Sequence, residues 1–132
     1  MKRLFVLISM FLFGCSNKIV LNCSYVDSSF LLGNKNTNDV FIFKNNRIIS
    51  YKKVIIFDIN DDTDRKLVSK YVKLDGKSLK KYIGGNYSIK NYDDRISLIF
   101  NTKNFDKLNF VDSSYGYDDV LNAYSSLGFM CK

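Results

Sequence analysis

The chain has no histidine, proline or tryptophan, and no glutamate or glutamine; all 13 of its acidic residues are aspartates. Without histidine there is no Ser-His or Cys-His nucleophile pair and no ordinary zinc site. Acid–base chemistry is left to Asp, Lys and Tyr. Low-complexity tracts, internal repeats and proline-rich linkers are missing too, so nothing in the composition divides the chain into separate units. The abundance of Lys, Asn, Ile, Tyr and Phe is explained more simply by AT-rich coding than by a selected chemistry. No run is apolar for the roughly 20 residues that a helix needs to cross a bilayer core.

A shorter apolar run does occur, from Leu4 to Phe13, behind Met1-Lys2-Arg3 and ahead of Gly14-Cys15. A basic start, a short apolar stretch and a small residue before a cut are the marks of a secretory signal peptide, and Leu12-Phe13-Gly14-Cys15 resembles a bacterial lipobox. The expected organisation is therefore a signal peptide at 1–14, a lipid-anchored tether at 15–18 and one globular domain at 19–132. Cys15 would carry a diacylglyceryl group, whose several chains anchor where a single chain binds only marginally. That places the domain on the extracytoplasmic side of a membrane in the cell envelope, as a tethered monomer with no cofactor and no metal.

Three cysteines then need separate fates. With Cys15 acylated, Cys23 and Cys131 remain as an even pair near the two ends of the mature chain in an oxidising compartment, which favours a disulfide between them. Free buried thiols and a redox pair are the alternatives, although no Cys-x-x-Cys spacing exists. The formal charge is +7, and losing Lys2 and Arg3 lowers it by two, leaving the domain basic. Anionic head groups or envelope polymers, or a protein, are the partners this charge admits. Nucleic acid is not among them, since an exported chain does not meet it and no recognition signature is present.

Alternation of apolar and polar residues from Ile19 to Val26 predicts a strand, and Asp27–Asn38 reads as a loop or weak edge strand. Val40–Phe43, an Asn-rich turn and Arg47–Phe57 read as a β-hairpin, because Asn tolerates the positive φ of tight turns. A second hairpin runs from Tyr87–Lys90 through Asn91–Asp94 to Ile96–Asn101. Between them the period changes: Asp61–Asp64 is rich in helix-starting residues, and Leu67, Val68, Tyr71, Val72, Leu79, Tyr82 and Ile83 recur at helical spacing up to Gly84-Gly85. Gly76 leaves open one helix or two. A last helix spans Tyr117 or Asp118 to Leu127, turning Val120, Leu121 and Tyr124 inward. The expected fold is α+β: an antiparallel sheet of two hairpins plus an N-terminal strand, packed by one long helix and one short C-terminal helix.

Several patterns bear on chemistry. Ser50-x-x-Lys53 and Ser78-x-x-Lys81 match a serine-acyltransferase nucleophile motif, but the supporting motifs are absent and Ser50 lies in a predicted strand. Asp58, Asn60, Asp62 and Asp64 alternate like the start of a calcium loop, yet Thr63 replaces the turn glycine and Ser69 the closing glutamate. An acidic helix start explains that cluster, and Asp93-Asp94 and Asp118-Asp119 read as a turn and a helix start. Lys66, Lys70, Lys73, Lys77 and Lys81 align on one helix face, either as a solvated surface or as a contact with anionic head groups. Tyr115, Tyr117, Phe129 and Met130 form a candidate partner patch, the alternative being cover for a sheet edge. No residue is assigned a catalytic role.

The sequence order as a whole resembles the YehR-like group of small bacterial lipoproteins. The resemblance rests on Leu21-Asn22-Cys23, the hairpin through Asp39 to Phe57, the lysine-rich helix and Gly85-Asn86-Tyr87-Ser88-Ile89. Ile96–Lys103 with Phe105-Asp106-Lys107-Leu108, and the ending Leu127-Gly128-Phe129-Met130-Cys131-Lys132, complete it. It covers essentially the whole mature chain. It implies a small envelope domain and names no activity.

Overall fold

The structure is a computed structural model that describes residues 18–28 and 33–132. The expected leader, Cys15 and the start of the tether lie outside the described residues. The elements in chain order are β1 (Lys18–Asp27), β2 (Lys35–Lys44), β3 (Arg47–Asp58), α1 (Asp62–Tyr82), β4 (Asn86–Asn91) and β5 (Arg95–Thr102). A 3-10 turn at Phe105–Lys107, α2 (Tyr117–Ser126) and β6 (Met130–Cys131) follow. The six strands form one antiparallel sheet in the order β4-β5-β3-β2-β1-β6. This is the expected α+β class, with a long and a short helix and a sixth strand added. Two residues of strand carry too little pattern to be read in advance.

Asn45 and Asn46 both have positive φ, 53° and 59°, as a two-residue hairpin turn requires. Ile42 pairs with Ser50 while Phe43 pairs with Ile48, so Ile49 is an extra residue. That bulge keeps Ile48 on the same face as Tyr51, where strict alternation would turn it outward. Upstream, β2 begins at Lys35 and pairs along its whole length with β1 and β3. Lys35–Asn38 is thus central strand and not loop; its polar residues hid the pairing because neighbouring strands satisfy the backbone.

One face of the sheet carries both helices. Leu21, Phe41, Phe43, Tyr51 and Phe100 pack with Val120 and Tyr124 of α2. Ile55, Phe57, Ile96 and Leu98 pack with Val68 and Val72 of α1. Among the described residues no helix lies on the opposite face.

Helix α1 is continuous. Asp61 caps it by accepting the Asp64 N–H at 2.8 Å, and Asp62, Asp64, Lys80 and Lys81 suit the dipole at either end. Its start is held by Arg65, whose Nη2 donates to the carbonyls of Tyr92 at 2.5 Å and Asp93 at 2.7 Å. Gly76 is buried, and a β-carbon there would stand 2.6 Å from the Tyr87 ring. The glycine therefore sets how closely α1 approaches β4. This contact agrees with the roll set by Val68 and Val72 against the sheet. Val68, Val72, Gly76 and Leu79 fall within an arc of about 80° at about 100° per residue, so only that stripe meets the flat sheet. Leu67 and Tyr82, which share the helical spacing of the buried residues, are exposed, as is Leu74. Tyr71 sits at the boundary, its ring edge-on to Phe57.

Candidate functional site

Cys23 in β1 lies directly opposite Cys131 in β6, and the two form a disulfide with Cα atoms 4.0 Å apart. The next pair, Asn22 and Lys132, exchanges both backbone hydrogen bonds at 2.9 Å. The cysteines therefore occupy a non-hydrogen-bonded pair, the register at which opposed Cα atoms come closest. Cys131, near the end of the chain, belongs to the sheet.

Across β2 from Cys23 stands Asp39, buried among aromatic side chains. Its Oδ2 accepts from the Tyr124 hydroxyl at 2.6 Å, and its Oδ1 lies 3.0 Å from Lys53 Nζ in an ion pair without hydrogen-bond alignment. Burial, and then the Asp39 carboxylate, push the Tyr51 hydroxyl well above the usual tyrosine range. The same causes in the same order raise Tyr124. The aspartate side chain is only 3 % exposed and Lys53 is 21 % exposed, so the group is closed to a reactant. What it can do is hold two strands and α2 in one register. Sequence reasoning missed it, although alternation with Phe41 and Phe43 already put Asp39 on the core face.

The five lysines expected to align, Lys66, Lys70, Lys73, Lys77 and Lys81, are all exposed along α1. They fall within an arc of roughly 80° centred far from the buried stripe. Beside them runs the exposed apolar ridge of Leu67, Leu74 (66 % exposed) and Tyr82 (68 %), which no sequence pattern separated from the core stripe.

The open face of the sheet is the second basic surface. Strand register places Lys18, Lys44, Lys52 and Lys90 there, with Lys103 just beyond the end of β5. Asp58 is the acid on that face, at the far end, where Arg95 pairs with Asp94 at 2.9 Å. Between the cations lie Val20, Val40, Ile42, Val54, Ile56 and Ile99, of which Val20 is exposed and the rest half-buried. A concavity of about 520 Å³ opens on this side, lined by Val40, Ile42, Ser50, Lys52, Asn101 and Lys103.

The four C-terminal aromatic and methionine residues do not converge. Tyr117 packs edge-on against Phe43, and Tyr115 leans on the same core. Phe129 contacts Tyr124 and Tyr25 at the other end of α2, about 15 Å away for a ten-residue helix. Met130 is 78 % exposed. The Ser50 and Lys53 of the first Ser-x-x-Lys match lie on opposite faces of β3, Ser50 outward and Lys53 toward Asp39. Asp119 accepts the Gly116 N–H at 2.9 Å as a helix-start residue.

No family model, curated protein or solved structure matches the chain. Among the described residues, no helix is long and apolar enough to cross a membrane.

Proposed function

We propose that this is a non-catalytic lipoprotein of the bacterial cell envelope, cut before Cys15 and held to the membrane by a lipid on that residue. The observation that carries the reading is the Cys23–Cys131 disulfide. It suits an oxidising compartment, and it leaves Cys15 as the remaining cysteine, directly behind an export-type leader. Membership of the YehR-like lipoproteins is part of the same reading. It is supported by the order strand, hairpin, long helix, hairpin, short helix. The test is intact mass without reduction after expression in a bacterial host. Loss of residues 1–14, added diacylglycerol and two missing hydrogens are expected; a retained leader, or Cys15 without lipid, refutes the proposal.

A second reading, an immunity, exclusion or enzyme-inhibitor lipoprotein with a specific protein partner, is favoured by the exposed ridge of Leu67, Leu74 and Tyr82 beside the α1 lysines. Replacing Leu74 by Asp would then abolish protection against a toxin, phage or hydrolase encoded beside it. Undiminished protection counts against that reading.

A further inference from the structure

We infer that the open face of the sheet, and not the lysine stripe of α1, is the surface that lies on an anionic lipid bilayer. The inference rests on the proposed anchoring through Cys15. Two basic surfaces stand on opposite sides of the molecule, so at most one of them can lie flat on a membrane, and the length of the tether decides which.

Cys15 precedes Lys18 by three residues, a reach of about 10 Å at full extension. β1 belongs to the sheet layer. The outer surface of α1 stands about 15 Å from that layer, one packing distance plus a helix radius, and α2 packs over β1 on the same side. Laying α1 on the head groups would therefore ask the tether to span more than its contour length. Laying the open face down asks for almost nothing, because Lys18 and Val20 of β1 are already on it.

The chemistry of the face agrees. Lys18, Lys44, Lys52 and Lys103 gather toward one end of the face and meet anionic head groups, while at the other end Lys90 and Arg95 offset the acids Asp58 and Asp94. The aliphatic centre from Val20 to Ile99 gives apolar side chains a place at the head-group boundary. An acidic protein could match the same charge and apolar centre, so it is the short reach from Cys15 to Lys18 that favours the bilayer. The α1 ridge then faces away from the bilayer.

The test is amine-acylation footprinting of the full chain, reconstituted into phosphatidylglycerol or phosphatidylcholine vesicles and read by mass spectrometry. Expected on phosphatidylglycerol is labelling about fivefold slower at Lys44, Lys52, Lys90 and Lys103, with Lys66, Lys70, Lys73, Lys77 and Lys81 labelled as on phosphatidylcholine. Protection of the α1 lysines instead, or equal labelling of both sets on both lipids, overturns the inference. So does protection of the sheet lysines by soluble poly-aspartate and not by vesicles, which would assign the face to an acidic protein. The Cys15 peptide of the same digest reports acylation separately, so a missing anchor is told apart from a wrong docking face.

Discussion

Asp39 joins two strands, its own β2 and the β3 that carries Lys53, to α2. Its carboxylate takes a proton donor from Tyr124 and a counter-charge from Lys53. Removing the donor leaves a buried carboxylate short of a hydrogen bond, which costs about 2 kcal/mol. Tyr124→Phe should lower the urea midpoint accordingly with an unchanged slope, whereas a loss under 0.5 kcal/mol, about the size of a neutral surface change, would show that Lys53 alone supports Asp39. The raised tyrosines also set an alkaline limit. Unfolded tyrosine ionises near pH 10. From about pH 10 upward the unfolded state sheds protons that Tyr51 and Tyr124 retain in the fold, so stability falls as pH rises, while below that these two groups leave it unchanged. In an alkaline titration followed by tyrosinate absorbance and circular dichroism, two of the nine tyrosines should ionise only as the fold is lost. Ionisation of all nine before any loss of dichroism would contradict this.

At the scale of elements, Gly76 and Asn46 show local rules overridden by neighbours. Glycine inside a helix ordinarily costs about 1 kcal/mol relative to alanine, so Gly76→Ala should stabilise an isolated α1. Here the added carbon meets the Tyr87 ring, and overpacking of about 1–3 kcal/mol exceeds the propensity gain. Gly76→Ala should therefore destabilise the protein by about 1 kcal/mol, and adding Tyr87→Ala should reverse the sign of the alanine effect; thermal unfolding of the four variants of this cycle decides it. Asn46 holds a turn and also caps a distant helix, its Oδ1 accepting the Tyr117 N–H at 2.8 Å. Asn46→Gly keeps the turn geometry and loses the cap, at about 1 kcal/mol. Asn46→Ala adds about 1–2 kcal/mol of left-handed strain. Equal losses would mean that only one of the two roles exists. The Asn turn was legible in the sequence because its cause lies within four residues. The cap was not, since its partner is 71 residues away.

For the whole molecule, the disulfide closes a loop of 108 residues, worth about 4–5 kcal/mol in the chain-entropy treatment. Cys131→Ser should lower stability by about that amount. It should also release β6, whose ladder is only two residues long, so hydrogen exchange at Asn22 and Lys132 should speed up well before exchange in the β2–β3 pair. Uniform acceleration would show instead that β6 and the sheet open together. The wider fold was readable from period and turn chemistry: the two hairpins, both helices and the cysteine pairing all have short-range or arithmetic causes. The open face was not, because alternation says that a strand has two faces without saying which one the helices cover. The exposure of Leu67 and Tyr82 was not legible for a related reason. Helical spacing groups apolar residues over a broad arc, and only packing on the sheet, through Val68 and Val72 and the close approach of Gly76 to Tyr87, decides which part of that arc is buried.

By itself the sequence determined the class of fold, the order of the two hairpins and the two helices, the charge and the short apolar run behind Lys2-Arg3, all set by local period, composition or counting. Tertiary structure alone decided that Asp39 meets Tyr124, that Asn46 caps α2 and that two basic surfaces stand back to back. Those outcomes depend on strand order and helix roll, which arise from packing between residues far apart in the chain and leave no mark in any short stretch of it.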